Sequence, residues 1–404
     1  MEKTIQGWKD ELVRVHQRIG DLFARSEVRD RSLAYLEGLL SGCERKNGWQ
    51  VAECVGDGSP YGMQYLLGRA RWDADALQTR LSEYVRQELG SLDAVLVLDE
   101  TGFVKKGIHS AGVQRQYSDT AGRIENSQVG VFLCYASERG HVLLDRELYL
   151  PQDWVEDGPR CRAAGIPEGV QFATKPMLGK QMLERAFKAQ MPCGWVAGDE
   201  VYGRDSKLRR WLEERRQPFV LAVAADQRLW RQDMRQHRVD EIANKLPKRA
   251  WKRLSAGQGA KGERLYDWAL VPWAEHEGWQ HTLLVRRSLD EKPEYAFYFT
   301  YAPQKKSALK TLVAVAGRRW AVEIAFQMAK GECGLDHYEV RHWQGWYRHI
   351  TLSMLALAVL AVLRSGEKKN IRGESSPQRT GNPAFARFRA ARRLARPGTS
   401  SPLV

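Results

Sequence analysis

Five apolar residues in a row, Ala94-Val95-Leu96-Val97-Leu98, run without a polar break and stop at Asp99. The run is short for a helix and has no polar side to offer water, so it predicts a central strand covered on both faces. Such a strand needs neighbouring strands beside it and helices above and below. Before it, the apolar period is helical: Leu12, Val15, Ile19, Leu22 and Phe23, then Leu33, Leu36, Leu39 and Leu40. After it, strands are expected over 129–135 and 141–150, joined at Glu138-Arg139-Gly140, then over 195–198, ending at Asp199, and over 218–224. Helices are expected over 177–190 and 205–215. The order predicts an α/β fold with a mixed sheet.

The chain has 404 residues, room for two or three domains. Residues 1–90 read as a helical region. Within it, 49–72 resembles a helix-turn-helix: a short helix ends at Gly56, Ser59-Pro60 opens the next, and Gln64, Arg69 and Arg71 are its candidate DNA contacts. Residues 91–225 and 304–364 form the α/β core, with helices over 307–330 and 346–364. Between them, 226–303 is rich in tryptophan (Trp230, Trp251, Trp268, Trp273, Trp279) and reads as a mainly β insertion. The Ser, Pro, Gly and Arg-rich tail, 365–404, is expected to be disordered. The apolar run at 350–363 is short for a membrane span and reads as a buried core helix. No secretory signal is read at the N-terminus. Six scattered cysteines without a CxxC pair argue against a disulfide framework or a zinc site and fit a reducing cytoplasm.

Lys and Arg number 63 against 49 Asp and Glu, a net charge of +14, and the tail from Ser365 supplies 9 − 2 = +7 of it. This excess points to a polyanionic partner. With 43% apolar residues the chain as a whole is not a disordered polycation.

Three carboxylates stand out. Asp99 and Asp199 are each expected where an apolar strand stops, a usual place for functional groups in α/β sheets. Glu323 lies in an apolar helix whose one polar stripe is Arg319, Glu323, Gln327 and Lys330, at i, i+4, i+8 and i+11. Clustered acids repel one another and need a cation, and oxygen-only donors suit two Mg²⁺ or Mn²⁺ ions, the arrangement used in phosphoryl transfer. Lys105, Lys106, Arg115 and Arg123 are candidate phosphate contacts. Glu100 and Glu200, on the opposite face from their aspartate neighbours, read as supporting residues. His337, His342 and His349 show no metal-site spacing and read as facing solvent or DNA.

Leu98-Asp99-Glu100-Thr101-Gly102-Phe103 with Lys105-Lys106-Gly107 resembles the first acidic motif of bacterial insertion-sequence DDE transposases. Gly112 to Tyr117, Thr120 to Asn126, Asp145 to Pro151, Gly198 to Gly203, and Gly334-Leu335-Asp336 with Tyr338 and Arg341 extend the resemblance to the insertion-sequence 701 group. It implies an RNase H-like core with Asp99, Asp199 and Glu323 as catalytic, metal-holding triad. It implies a Tyr-x2-Arg-x3-Glu-x6-Lys signature, which Arg319, Glu323 and Lys330 fit while Ala316 replaces the tyrosine. The resemblance further implies double-stranded DNA partners (terminal inverted repeats and target), a homodimer in a synaptic complex, and a cytoplasmic, nucleoid-associated location. A transposase-derived regulator or a nuclease without strand transfer is the alternative.

Overall fold

The computed structural model describes residues 2–373 apart from 119, 232–233 and 260–261. Five helices come first: α1 (Glu2–Ile19), α2 (Ser26–Leu39), α3 (Gly48–Val55), α4 (Tyr61–Gly68) and α5 (Ala74–Leu89). The Asn47 side chain accepts from Gln50 N at 2.9 Å to start α3. Gly56, at φ 86°, ends it in a left-handed turn that favours glycine. Pro60, rather than Ser59, occupies the cap of α4, without a side-chain hydrogen bond. That helix stops at Gly68, so Arg69 sits at its C-cap and Arg71 beyond it.

Cys43 and Cys54 form a disulfide, with Cα atoms 6.5 Å apart, and the other four cysteines are free. The spacing of these two residues carries no pairing signature. They meet because α3 folds back on the loop before it.

The strands and helices that follow are β1 (Val95–Val104), β2 (Gln114–Ser118), β3 (Arg123–Ala136), β4 (His141–Tyr149), α6 (Gln152–Glu156), α7 (Gly158–Ala163), α8 (Lys175–Lys188), β5 (Trp195–Gly198), α9 (Glu200–Gly203), α10 (Ser206–Glu214) and β6 (Phe219–Val223). Strands β1, β3 and β4 pair antiparallel, and β5 and β6 continue parallel to β1. This is the mixed α/β sheet expected, with these strands in the order β4-β3-β1-β5-β6. Strand β1 is longer than the apolar run. Its antiparallel ladder with β3 continues from Asp99↔Phe132 to Val104↔Ser127, whereas its parallel ladder with β5 ends at Leu98↔Gly198. Asp99 is therefore inside a strand and not at its end.

Next come β7 (Arg228–Trp230), β8 (Gln236–Arg238), α11 (Val239–Asn244), β9 (Lys252–Gly259), β10 (Gly262–His276), β11 (Trp279–Arg287) and β12 (Tyr295–Pro303). Strands β7 and β8 form their own two-stranded sheet. Strands β9 to β12 do not stand apart: β12 pairs antiparallel with β6, Phe297↔Val223 through Tyr301↔Phe219, and extends the main sheet to ten strands.

Three helices complete the described residues: α12 (Leu309–Arg318), α13 (Trp320–Cys333) and α14 (Trp343–Gly373). Where one helix was expected over 307–330 there are two, joined at Arg319. That residue keeps helical angles (φ −54°, ψ −35°), and a short-range bond from Val322 N to Arg319 O tightens the junction. Helix α14 continues past the expected end at 364, as far as Gly373. The remainder of the basic tail, 374–404, lies outside the described residues. The stretch Trp343–Gly366 is long and apolar enough to cross a membrane, but 78% of its apolar window is buried inside the fold. Within it, the Arg348 guanidinium donates to the carbonyls of Leu67, Ala70 and Trp72.

His349 corrects the expectation of a solvent- or DNA-facing ring. It is fully buried, accepts from Tyr35 Oη at Nδ1 (2.8 Å) and donates from Nε2 to Gly334 O (3.0 Å). Burial pushes its pKa down to about 3. Beneath the sheet, Arg146 is equally buried. It reaches Thr351 Oγ1 at 2.9 Å and Asp75 Oδ1 at 2.7 Å, while Arg185 bridges Asp145 and Glu147 at 2.8 and 2.6 Å. These bonds fasten β4 to α5, α8 and α14.

Candidate active site

Strand β5 ends at Gly198, and Asp199 follows as the N-cap of α9, its Oδ1 accepting from Val201 N at 2.9 Å. Asp99 occupies the equivalent next position on β1. Carboxylate oxygens of Asp99, Asp199 and Glu100 all lie within 4.8 Å of one another. Burial and the facing charge of Asp199 push Asp99 up to about 8; burial and Glu100 push Asp199 up to about 6. Carboxylates held this close while buried are strained by mutual repulsion. An oxygen-only donor set of this kind fits Mg²⁺ or Mn²⁺.

Glu323 is not in that triangle. It approaches on α13, separated from Asp99 by Arg319, whose Nη1 lies 3.4 Å from Asp99 Oδ2 and whose Nη2 lies 3.5 Å from Glu323 Oε1. Farther along the same helix face, Lys330 Nζ donates to Gly102 O at 3.3 Å and Thr120 Oγ1 at 3.1 Å. The stripe read from the sequence thus lies along β1, with Arg319 over Asp99 and Lys330 over Gly102. Burial raises the Glu323 carboxyl and lowers the Lys330 ammonium. Ala316 is buried in α12.

Glu100 does more than a strand neighbour on the opposite face was expected to do. Its carboxylate accepts from Lys175 Nζ and, at 2.8 Å, from Tyr202 Oη, on the side of α8 and α9, yet it still reaches Asp99 and Asp199. Neither Lys175 nor Tyr202 was singled out from the sequence. They come from separate elements, and only the folded sheet brings them to Glu100.

The remaining cations divide. Lys105 turns inward: its Nζ sits 3.4 Å from the centroid of the Tyr338 ring and donates to Tyr338 O at 3.2 Å. Burial pushes it down to about 8. A phosphate contact is therefore not the role this placement favours. Lys106, Arg115 and Arg123 are exposed, with Arg123 paired to Glu125 at 3.0 Å. Gln64, Arg69 and Arg71 are exposed on and after α4, next to Tyr61 and Tyr65. Glu200 is an exposed first residue of α9, and among the three histidines only His337 is half-buried, its Nδ1 accepting from Lys46 N.

The chain matches the family model described as DDE superfamily endonuclease over residues 18–258, and the one described as transposase DDE domain over 177–359. It is 27% identical over 191 residues to a probable transposase for insertion sequence element IS701 of Microchaete diplosiphon. That match spans 47% of this chain and 47% of the relative, about half of each. Among solved structures, it resembles a piggyBac transposase synaptic complex with hairpin DNA at 12% identity and a TM-score of 0.43, covering 92% of this chain and 73% of that one.

Proposed function

The chain belongs to the DDE superfamily endonuclease family, and from that premise we propose that it is a DNA transposase, cutting at the ends of an insertion sequence and joining the freed 3′-OH ends to target DNA. The observation that carries this reading is the placement of Asp99 and Asp199 side by side at the end of the β1–β5 parallel ladder, with Arg319 and Glu323 brought over them by α13.

Asp99 and Asp199 would hold the divalent cations, with Glu323 as the third acid of the site. Bound there, such ions supply an activated water and neutralise charge on the oxygens of the scissile phosphodiester. The chain's own residues do the rest. Arg319 keeps Asp99 and Glu323 oriented, and its guanidinium balances negative charge as the phosphate approaches. Lys330, anchored on Gly102 and Thr120, gives a fixed cation one step farther along β1. Exposed Lys106, Arg115 and Arg123 would bind phosphates beside the site, and Gln64, Arg69 and Arg71 would bind the terminal repeats. Two ends joined in one reaction favour a homodimer.

The test uses purified full-length protein, DNA carrying the element end, and Mg²⁺ or Mn²⁺. Cleavage and joining are expected from the wild type. Asp99→Asn, Asp199→Asn and Glu323→Gln should each abolish cleavage while leaving DNA binding intact. Cleavage that survives all three would sink the site assignment, and cleavage without joining would make the protein a nuclease.

A further inference from the structure

Strand β9 carries a bulge where it runs beside α12. Gln258 pairs with Glu263 and Ser255 with Leu265, so Ala256 and Gly257 together face Arg264 alone. Gly257 takes a φ of 100°, a left-handed angle that suits glycine. At Gly317, in the last turn of α12, helix and bulge come so close that a Cβ would lie 2.0 Å from Ala256 O. Only glycine fits there.

Arg264 of β10 closes this contact. Its Nη2 donates to Ala256 O at 2.6 Å and to Gly317 O at 2.9 Å, one carbonyl from each side. The last carbonyls of a helix have no partner within it, and Arg264 supplies one where α12 ends. Its Cζ also lies 5.5 Å from the ring centroid of Trp320, the first residue of α13. One guanidinium thus touches both sides of the junction at Arg319. Its Nε is buried with no hydrogen-bond partner among the described residues, so this orientation is kept at a cost. Burial raises the Glu323 carboxyl, and the charges of Arg319 and then Arg264 oppose the rise. Arg264 forms no ion pair with any of the three acids among the described residues. It acts on them through the backbone it holds.

We propose that Arg264 is a positioning residue for DNA cleavage: by tying the end of α12 and the start of α13 to the β9 bulge, it sets the junction from which Arg319 and Glu323 project. The reaction it serves rests on the transposase reading above. A cross-link that only stabilised the fold would not govern the rate, and a phosphate contact would govern affinity instead. The test separates the three.

The full chain and its variants are compared in single-turnover cleavage of element-end duplex with Mg²⁺, in DNA binding across salt concentrations, and in amide hydrogen exchange without DNA. Arg264→Met keeps the apolar stem and removes the donors. It should lower the rate at saturating protein at least about tenfold, since misplacing reacting groups by about 1 Å can cost about a hundredfold. DNA affinity and its salt slope should stay at wild-type values. Arg264→Lys, which can still donate to both carbonyls, should recover part of the rate. Gly317→Ala, pressing on the same contact from the helix side, should lower the rate with Arg264 in place. Exchange in Arg264→Met should rise in peptides spanning 316–323 and stay unchanged in α14. Should Arg264→Met fail to fold, Arg264→Lys carries the test, slower than wild type at unchanged affinity. A wild-type rate in these variants would overturn the proposal, and so would exchange that rises equally in α14. A salt slope reduced by about one with the saturated rate unchanged would overturn it too, as the mark of a phosphate contact. A wild type that cuts no DNA would remove the transposase reading; faster exchange at the junction would then still support the tie, and unchanged exchange would overturn it.

Discussion

Arg319 stands between the first and third acids, 3.4 Å from an oxygen of Asp99. It is placed there by the junction of α12 and α13, not by a loop, so its reach is short and its direction fixed. Replacing it by alanine removes the only cation among the described residues that pairs with both Asp99 and Glu323. Arg319→Ala should lower DNA cleavage by roughly a hundredfold or more, the scale of losing one preorganised charge-stabilising donor. Single-turnover cleavage beside an equilibrium DNA-binding measurement checks this. Binding should change little, and Arg319→Lys should recover only part of the rate because lysine cannot fork between two carboxylates.

Salt dependence separates the inward lysine from the outward cations. Removing a side chain that neutralises one phosphate should reduce the slope of log affinity against log salt by about one. Lys106→Ala, Arg115→Ala and Arg123→Ala should each do so in filter-binding or anisotropy titrations. Lys105→Met should leave the slope unchanged, because its ammonium already lies on the Tyr338 ring. A lowered slope for Lys105→Met would place that side chain on DNA after all.

Arg146 is the cation of a buried network, and without it the buried Asp145 keeps only Arg185 as an ion-pair partner among the described residues. Arg146→Ala should destabilise the fold by about 3–5 kcal/mol, read from urea unfolding, because breaking a buried ion pair strands the remaining charge. Arg185→Ala, whose side chain is 40% exposed, should cost less.

The buried, neutral His349 links stability to acid. Its folded pKa of about 3 lies below the ordinary value of 6.5 in the unfolded chain, so protons favour unfolding as pH falls. The contribution is intact above about pH 6.5 and declines progressively from there toward pH 3. Urea midpoints between pH 7.5 and 4.5 should fall more steeply for the wild type than for His349→Gln. Parallel slopes would show that the carboxylates alone govern the acid limb.

The acidic positions and the polar stripe of α13 were legible in the sequence because each depends on local pattern. An apolar run marks a buried strand, and four polar residues at helical spacing share a face wherever the helix goes. What the pattern does not hold is how far a strand extends once a partner pairs with it. Asp99 lies inside β1 because β3 continues the ladder past the apolar run. The same limit hid Lys175 and Tyr202 behind Glu100, and the pairing of Cys43 with Cys54. His349 was misread for a different reason: its partners, Tyr35 and Gly334, come from remote elements, and a buried polar residue cannot be told from a surface one without them.

Strand β12 is hydrogen-bonded to β6, and β6 to β5, the strand that delivers Asp199. Segment 226–303 consequently has no hinge of its own at this seam. A load placed on β9 to β12 passes through backbone ladders, the stiffest connection a protein has, straight to the base of Asp199. A partner held on β9 to β12 would therefore not be carried to the acids by that segment swinging about this seam.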